Sequence, residues 1–215
     1  MYRRVAVLLT CVAMLLTVTI ASAQTGKEQH QPIVLVAARH LQDPNFTRTV
    51  VLVMFPPESG PTGVILNRPT DLQLREIWPG QEKRQGRTDA IYIGGPLQPD
   101  SLLYLFRMTP PPEKAWPVIA DIYLSGNGEL LDKLVDQQTG PAGDQRFFAG
   151  YAGWLPGQLE IEIANGDWYV LKADPEIIYD TDVETLWWRL YQRATLPRAN
   201  SIPRPEFASR SPFSG

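Results

Sequence analysis

The chain has 215 residues, with 20 basic and 23 acidic side chains, a formal charge of −3, two histidines and one cysteine. An acidic chain without a basic cluster is a poor nucleic-acid binder, because attraction to phosphates supplies most non-specific affinity. One cysteine cannot build a Cys-type zinc site or an iron–sulfur cluster. The composition therefore predicts no metal site and no cofactor, and it disfavours nucleic acid as a partner.

The N-terminus has the features of a secretory signal. Two arginines precede an uncharged run over residues 5–20, and Ala21 and Ala23 supply the Ala-x-Ala spacing of a cleavage site. We expect cleavage before Gln24 and a periplasmic or secreted protein with no membrane span. Cleavage removes Cys11 and two of the 20 basic side chains, which leaves a formal charge of −5. The alternative is an inner-membrane anchor, because the apolar run is only slightly short of the roughly 17 to 25 residues that span a bilayer.

The remaining chain divides into three parts. Residues 24–31 are expected to be a flexible leader, and residues 32–196 have the length of one domain. Residues 197–215 contain four prolines and four serines, a composition that buries too little apolar surface to offset its ordering entropy. We expect a disordered tail there, with a short recognition peptide for a partner as the alternative.

Several strands and one short helix are predicted in the first half of the domain. Apolar, β-branched runs at 33–38, 47–55 and 62–69 favour buried strands. Thr70 and Gln73 resemble a capping box for a short helix that ends at Pro79. Strands follow at 90–95 and 102–108, separated by a turn at 95–100, and residues 116–125 return to extended structure.

The second half contains the clearest helices. Residues 129–138 place four apolar side chains on one face, and 146–153 favours a strand. A C-terminal amphipathic helix should begin at a capping box of Thr181 and Glu184. Its apolar stripe consists of Val183, Leu186, Trp187, Leu190 and Tyr191. Because strands come in groups, the pattern predicts a single α+β domain.

Residues 158–173 allow two interpretations. Leucine and isoleucine alternate with Glu160 and Glu162 before Asn165-Gly166, which is a hairpin signal. Pro156 and Gly157 could equally precede a helix that ends at Gly166. In that case only the segment after Gly166 is a strand.

Four sequence blocks resemble the YqgE/AlgH family. They are LVAARHLQDPNFTRTVVLV from Leu35, GVILNRP from Gly63, YIGGPLQPD from Tyr92 and GYAGWLPGQLEIEIANGDW from Gly150. The resemblance implies an α+β fold with a bent, barrel-like sheet flanked by helices, and a short helix at 157–165. The chain departs from the family pattern in MFPPESG, where many members have a Cys-Glu-His-Asn-like stretch, and in the residues after Asp100, which lack the Arg and His of many members.

The candidate binding residues are polar side chains and glycines inside these blocks. Asn67 and Arg68 follow a strand and precede an expected helix start, where anions are favoured. Arg48 is expected to pair with Asp43 across a turn; the alternative is that its planar fork binds an anionic ligand. The full set is Asp43, Arg48, Asn67, Arg68, Gly94, Gly95, Asp100, Tyr151, Trp154, Gln158 and Glu160.

Structural roles compete with binding roles at some of these positions. Gly94 and Gly95 are explained by a tight turn that needs positive φ. Gln158 and Glu160 are expected to serve the first turn of a helix and to contact a ligand only secondarily.

Three functions remain open from the sequence. The leading hypothesis is a non-enzymatic domain that binds a protein or small-molecule partner, with no catalytic residues. A transcriptional regulator, implied by labels within the family, would require a cytoplasmic protein. A metal-independent hydrolase or isomerase would use His40, Asp43 or Glu160 as acid or base, but the chain has no Gly-x-Ser-x-Gly elbow.

Overall fold

The computed structural model describes residues 31–57, 59–77, 88–136 and 145–196. The predicted signal segment, the leader up to residue 30 and the predicted tail lie outside these ranges. Within them the chain forms ten strands and five helices. The strands are β1 Ile33–Ala37, β2 Val50–Met54, β3 Thr62–Ile65, β4 Pro69–Gln73, β5 Ala90–Ile93, β6 Leu97–Arg107, β7 Trp116–Ile119, β8 Ile122–Ser125, β9 Gln145–Gly153 and β10 Trp168–Lys172. The helices are α1 Leu74–Ile77, α2 Gly128–Asp136, α3 Gln158–Ala164, α4 Pro175–Ile178 and α5 Val183–Thr195.

The strands form one curled sheet, a half-barrel, in the order β10-β1-β2-β3-β9-β6-β8-β7. Neighbours in this order are antiparallel. β4 and β5 branch from it, and β5 runs parallel to β9. The predicted α+β class and barrel-like sheet are confirmed.

Strands β1 to β3 are buried on both faces, which explains their nearly unbroken apolar sequence. Side chains of one face, such as Val34 and Leu52, join a core with α4 and α5. Those of the other face, such as Leu35 and Val51, pack with Trp154 and Leu159 of α3. A third cluster lies between α2 and the β5, β6 and β9 strands. The apolar stripes predicted for the second and last helices therefore face the core.

The capping box predicted at Thr70 is wrong. Thr70 lies in β4, where its hydroxyl donates to the Ile91 carbonyl at 2.8 Å, so it does not cap a helix. The one-turn helix α1 begins later, and the Gln73 N–H donates to the Glu76 carboxylate at 2.6 Å. The expected helix end at Pro79 falls outside the described residues. Tertiary pairing of β4 with β5 overrides the local capping pattern.

The turn expected at 95–100 is shorter, because residues 97–100 belong to β6, where Leu97 pairs with Tyr151 before an irregular register at Leu102. The N-cap of α5 is Asp182, whose carboxylate accepts the Thr185 N–H at 3.3 Å, in place of the expected Thr181. The short helix α4 was not predicted. Its signal was Asp174 before Pro175, an N-cap followed by proline at the first helical position.

Residues 158–164 are helical, as the family resemblance implied, and the hairpin interpretation is wrong. Asn165 is the C-cap, and Gly166 has φ 82°, the left-handed conformation that commonly ends helices. The helical spacing places Leu159, Glu162 and Ile163 on one face, and Leu159 is buried there. Burial of this face favours the helix over a local strand pair.

Candidate functional site

Asn67 and Arg68 hold the turn that connects β1 and β2. The Val50 N–H donates to Asn67 Oδ1 at 2.8 Å, and Asn67 Nδ2 donates to the Arg48 carbonyl at 3.0 Å. The Arg68 guanidinium donates to three carbonyls of the same turn, those of Pro44, Asn45 and Thr47, at 3.1, 2.7 and 3.2 Å. Both side chains replace missing backbone partners, so their first role is to fix residues 44–50.

Asp43 begins this turn and lies near Arg68. Its carboxylate accepts the Asn45 N–H at 2.8 Å, and its carbonyl accepts the N–H groups of Phe46 and Thr47. Burial lowers the pKa of Arg68, and the charge of Asp43 opposes that shift. Arg48 instead lies over the Trp187 ring, 5.7 Å from its centroid. Within the described residues the expected Asp43–Arg48 pair is not formed.

Asn67→Ala is expected to lower the free energy of unfolding by about 1 to 2 kcal/mol, because it leaves a part-buried Val50 N–H without its acceptor. Chemical denaturation followed by circular dichroism measures the change. Asn45→Ala is the matched control, since Asn45 enters the turn through backbone atoms. Equal stability of the two variants would contradict the structural role of Asn67.

Glu162 is the shared hydrogen-bond acceptor of Trp154, Trp168 and Gln158. The indole N–H groups of Trp154 and Trp168 both donate to Glu162 Oε2 at 2.8 Å, and Gln158 Nε2 donates to Oε1 at 2.9 Å. Phe46 stacks on Trp154 at 6.2 Å between ring centroids. The candidate residues Trp154 and Gln158 thus converge on a carboxylate that the sequence interpretation missed.

Glu160, the carboxylate selected from the sequence, is exposed on the outer face of α3. The segment contains two glutamates, Glu160 and Glu162, and only the orientation of the helix shows which of them faces the tryptophans. The available signal was the i, i+4 spacing of Gln158 and Glu162, which brings the two side chains together once the segment is helical.

The Gly94-Gly95 pair allows strands to approach closely. A Cβ on Gly94 would overlap the Gly150 carbonyl oxygen, and one on Gly95 would overlap the backbone of Tyr151. Gly150, with φ 71°, faces the carbonyls of Gly95 and Leu97, each 2.7 Å from an added Cβ. The expected tight turn is therefore not the reason for the glycines: close contact with β9 requires them.

An apolar groove lies beside this glycine contact. It has a volume of about 550 Å³ and opens between the end of β2, the start of β3 and strands β6 to β9. Tyr151 is the predicted residue in its wall, and Asp100 is exposed in the neighbouring stretch of β6. The lining residues are Met54, Pro56, Ser59, Thr62, Gln98, Ser101, Leu102, Leu103, Trp116, Leu124, Gly126 and Tyr151.

The candidate residues therefore form separate groups. Asn67, Arg68 and the 43–48 turn lie where β2 begins, whereas the groove lies where β2 ends at Met54. Four residue steps of about 3.3 Å separate these ends by roughly 13 Å. The structure places the turn and the groove at opposite ends of the same strand.

His40 lies in an exposed turn, 3.4 Å from Asp167 and with 65% of its side chain exposed. Within the described ranges it makes no hydrogen bond to a hydroxyl group, so no Ser-His-Asp arrangement includes it there.

Across the described residues, no group of three or more His, Cys, Asp or Glu side chains could hold a metal ion. None of the helices described there has the length and hydropathy to cross a bilayer.

Arg146 is a buried cation that the sequence interpretation did not single out. It is 6% exposed, donates to the carbonyls of Leu66 and Asp180, and lies 5.3 Å from the Tyr92 ring centroid. Burial lowers the pKa of Arg146, and Tyr92, Asp180 and Tyr179 oppose that shift. These contacts join β9 to the loop after β3 and the segment before α5.

The fold and these sites define a single-domain α+β protein built on a half-barrel sheet. A family model described as AlgH-like matches residues 34–198. A UPF0301 protein of Chlorobaculum tepidum is 36% identical over 155 residues, which cover 72% of this chain and 81% of that protein. One of Streptomyces avermitilis is 35% identical over 184 residues, covering 81% and 89%. The chain belongs to the YqgE/AlgH family, as its four sequence blocks indicated.

Solved structures agree with this assignment. The solution structure of the AlgH protein from Pseudomonas aeruginosa matches with a TM-score of 0.63 and 26% identity, covering 84% of this chain and 99% of that chain. A crystal structure of a protein from Corynebacterium diphtheriae matches with a TM-score of 0.62 and 27% identity, covering 77% and 87%. The names of these relatives state no substrate or reaction.

Proposed function

We propose that this protein is an exported, non-enzymatic binding domain whose groove takes a small, largely apolar ligand. The observation that supports this proposal is the groove, whose volume of about 550 Å³ is within the roughly 300 to 1,000 Å³ of small-molecule sites. Leu102, Leu103 and Leu124 supply apolar walls, and Trp116 and Tyr151 supply aromatic ones. Trp116 is 49% exposed, which leaves surface for a ligand to cover.

A few polar groups accompany the apolar walls. Thr62 and Ser101 contribute hydroxyl groups and Gln98 contributes an amide. Such a mixture suits a ligand with an apolar body and one or two neutral hydrogen-bonding groups. No Asp, Glu, Lys, Arg or His is among the described lining residues, which supports an uncharged ligand and binding without acid–base chemistry.

The uncharged fluorescent probe N-phenyl-1-naphthylamine tests the groove. We expect it to bind with enhanced fluorescence, because the probe loses contact with water at Trp116 and the leucines. Ser101→Phe fills the groove and should abolish binding, and Trp116→Ala should weaken it by about tenfold, or ~1.4 kcal/mol. Ile161→Ala, which removes an exposed apolar side chain outside the groove, is the matched control. Binding that survives Ser101→Phe would exclude the groove as the site.

Export is supported by the arginines, apolar run and Ala-x-Ala site of the first 23 residues. Expression of the full chain should yield protein in the periplasmic fraction with an N-terminus at Gln24. Ala23→Phe should block cleavage, because signal peptidase requires a small residue there. N-terminal sequencing and fractionation measure both effects. Intact, cytoplasmic protein would contradict export and would restore the regulatory hypothesis.

A further inference from the structure

A second concave surface, distant from the groove, combines arginines with tryptophans. It has a volume of about 550 Å³ and is lined by Arg39, Arg48, Trp187 and Trp188. The two arginines come from the ends of the β1–β2 connection, and the tryptophans come from α5. Trp187 is fixed by its indole N–H, which donates to the Ala37 carbonyl at 2.9 Å.

Both guanidinium groups lie on aromatic faces. The Arg39 guanidinium carbon is 4.8 Å from the Trp188 centroid and 5.1 Å from that of Tyr191. The corresponding distance from Arg48 to Trp187 is 5.7 Å. Stacking holds a guanidinium by its face and leaves the N–H groups at its edge available for an acceptor.

Neither arginine has an anionic partner among the described residues. No carboxylate of that part of the chain lies within ion-pair distance of Arg39 or Arg48, and neither guanidinium donates a hydrogen bond there. Glu184, one turn before Trp188 on α5, forms no ion pair with either arginine. Two like charges are thus gathered on one aromatic surface, in a chain that is acidic overall.

The backbone of Arg48 is held in an uncommon conformation. Its φ is 57°, in the left-handed region that favours glycine. Asn67 Nδ2 holds the Arg48 carbonyl at 3.0 Å, and the Thr49 hydroxyl donates to the Phe46 carbonyl at 2.8 Å. Non-glycine residues persist in such conformations when their surroundings impose them, and they cluster at binding sites. Arg48 thus combines a backbone conformation that glycine adopts with less strain and a side chain that contacts Trp187.

We propose that Arg39, Arg48, Trp187 and Trp188 form a binding site for an organic anion. The phosphate or carboxylate group binds the free edges of the two guanidinium groups, and the aromatic or alkyl body of the ligand covers Trp188, which is 39% exposed. Arginine is suited to such anions because its planar fork donates two parallel hydrogen bonds. The site shares no residue with the groove and stands independently of the function proposed for it.

The probe for this site is 1-anilinonaphthalene-8-sulfonate, which adds a sulfonate to the uncharged probe used for the groove. It is titrated into Ser101→Phe protein, whose groove is filled, and into the same protein with Arg39→Gln and Arg48→Gln. We expect at least about tenfold weaker binding after loss of both arginines, and weaker binding of the parent at high ionic strength. Arg193→Gln is the control. Arg193 is an exposed arginine of α5, the helix that carries Trp187 and Trp188, and its substitution should leave probe affinity unchanged.

Arg48→Gly separates binding from folding. Glycine adopts the observed φ without strain, so the unfolding midpoint should be unchanged or higher while affinity for the sulfonated probe falls. Unchanged probe affinity in the double glutamine variant, or an equal loss in Arg193→Gln, would overturn the proposal.

Binding to lipid vesicles distinguishes a lipid headgroup from a soluble anion as the ligand. Phosphatidylglycerol vesicles that bind the protein through Arg39 and Arg48, when phosphatidylcholine vesicles do not, assign a lipid headgroup. Binding of the soluble probe without vesicle binding assigns a soluble anion.

Discussion

Gly94→Ala is expected to lower the free energy of unfolding by about 3 kcal/mol, because the added methyl group would overlap atoms of the neighbouring strand. Its Cβ would overlap the carbonyl oxygen of Gly150 and approach Phe148 Cβ to 3.0 Å and the Gly150 carbonyl carbon to 3.1 Å. Two of these neighbours are backbone atoms of β9, which is paired with both β5 and β6. Relief therefore requires separation of paired strands.

The same substitution at Gly128 is the matched control. A Cβ there meets nothing within 4 Å, and the residue begins α2. Alanine should be neutral or slightly stabilising at this site, since it has the higher helix propensity. Urea denaturation followed by circular dichroism compares the variants. A Gly94→Ala protein as stable as Gly128→Ala would show that β5 and β9 do not need their close approach.

Glu162→Ala is the second large effect, with an expected loss of about 3 kcal/mol in the free energy of unfolding. The carboxylate accepts both indole N–H groups at 2.8 Å, and Trp154 and Trp168 are 6% and 4% exposed. Each orphaned N–H costs about 1 to 3 kcal/mol when it stays out of water. Glu162→Gln keeps one acceptor oxygen and should lose less.

Glu160→Ala provides the control on the same helix, two residues away. Glu160 is exposed, so its removal should change stability by less than about 0.5 kcal/mol. Tryptophan fluorescence supplies a second readout, because Glu162→Ala alters the surroundings of Trp154 and Trp168 and Glu160→Ala does not. Equal effects of the two alanine variants on stability and fluorescence would contradict a stabilising role of the hydrogen bonds between Glu162 and the two indoles.

Much of the fold could be predicted because its signals are local. The apolar runs of β1 to β3 exclude exposed strands, and the apolar stripe of α5 follows helical spacing from Val183 to Tyr191. The family resemblance favoured α3 where the local pattern also fits a hairpin, and only the structure decided between them. β4 was missed because it is a short, largely exposed strand whose capping-like residues are explained only by pairing with β5.

The candidate site was predicted less completely. Asn67, Arg68 and Trp154 were identified as important positions, and each has hydrogen bonds to residues distant in the sequence or to Glu162. Trp116 and Leu102 were not selected as site residues, because apolar side chains in strands look the same whether they face the core or a groove. Only the curl of the sheet distinguishes the two environments.

The sequence by itself determined the single-domain α+β class, the family and the elements whose apolar periodicity is strong. Tertiary structure alone decided that Asn67 holds Arg48, nineteen residues away, and that Arg39 and Arg48 meet tryptophans of α5. It also selected Glu162 over Glu160. The physical reason is that periodicity records which face of an element is buried, whereas hydrogen bonds and ring contacts between distant residues exist only after the sheet has curled and the helices have packed on it.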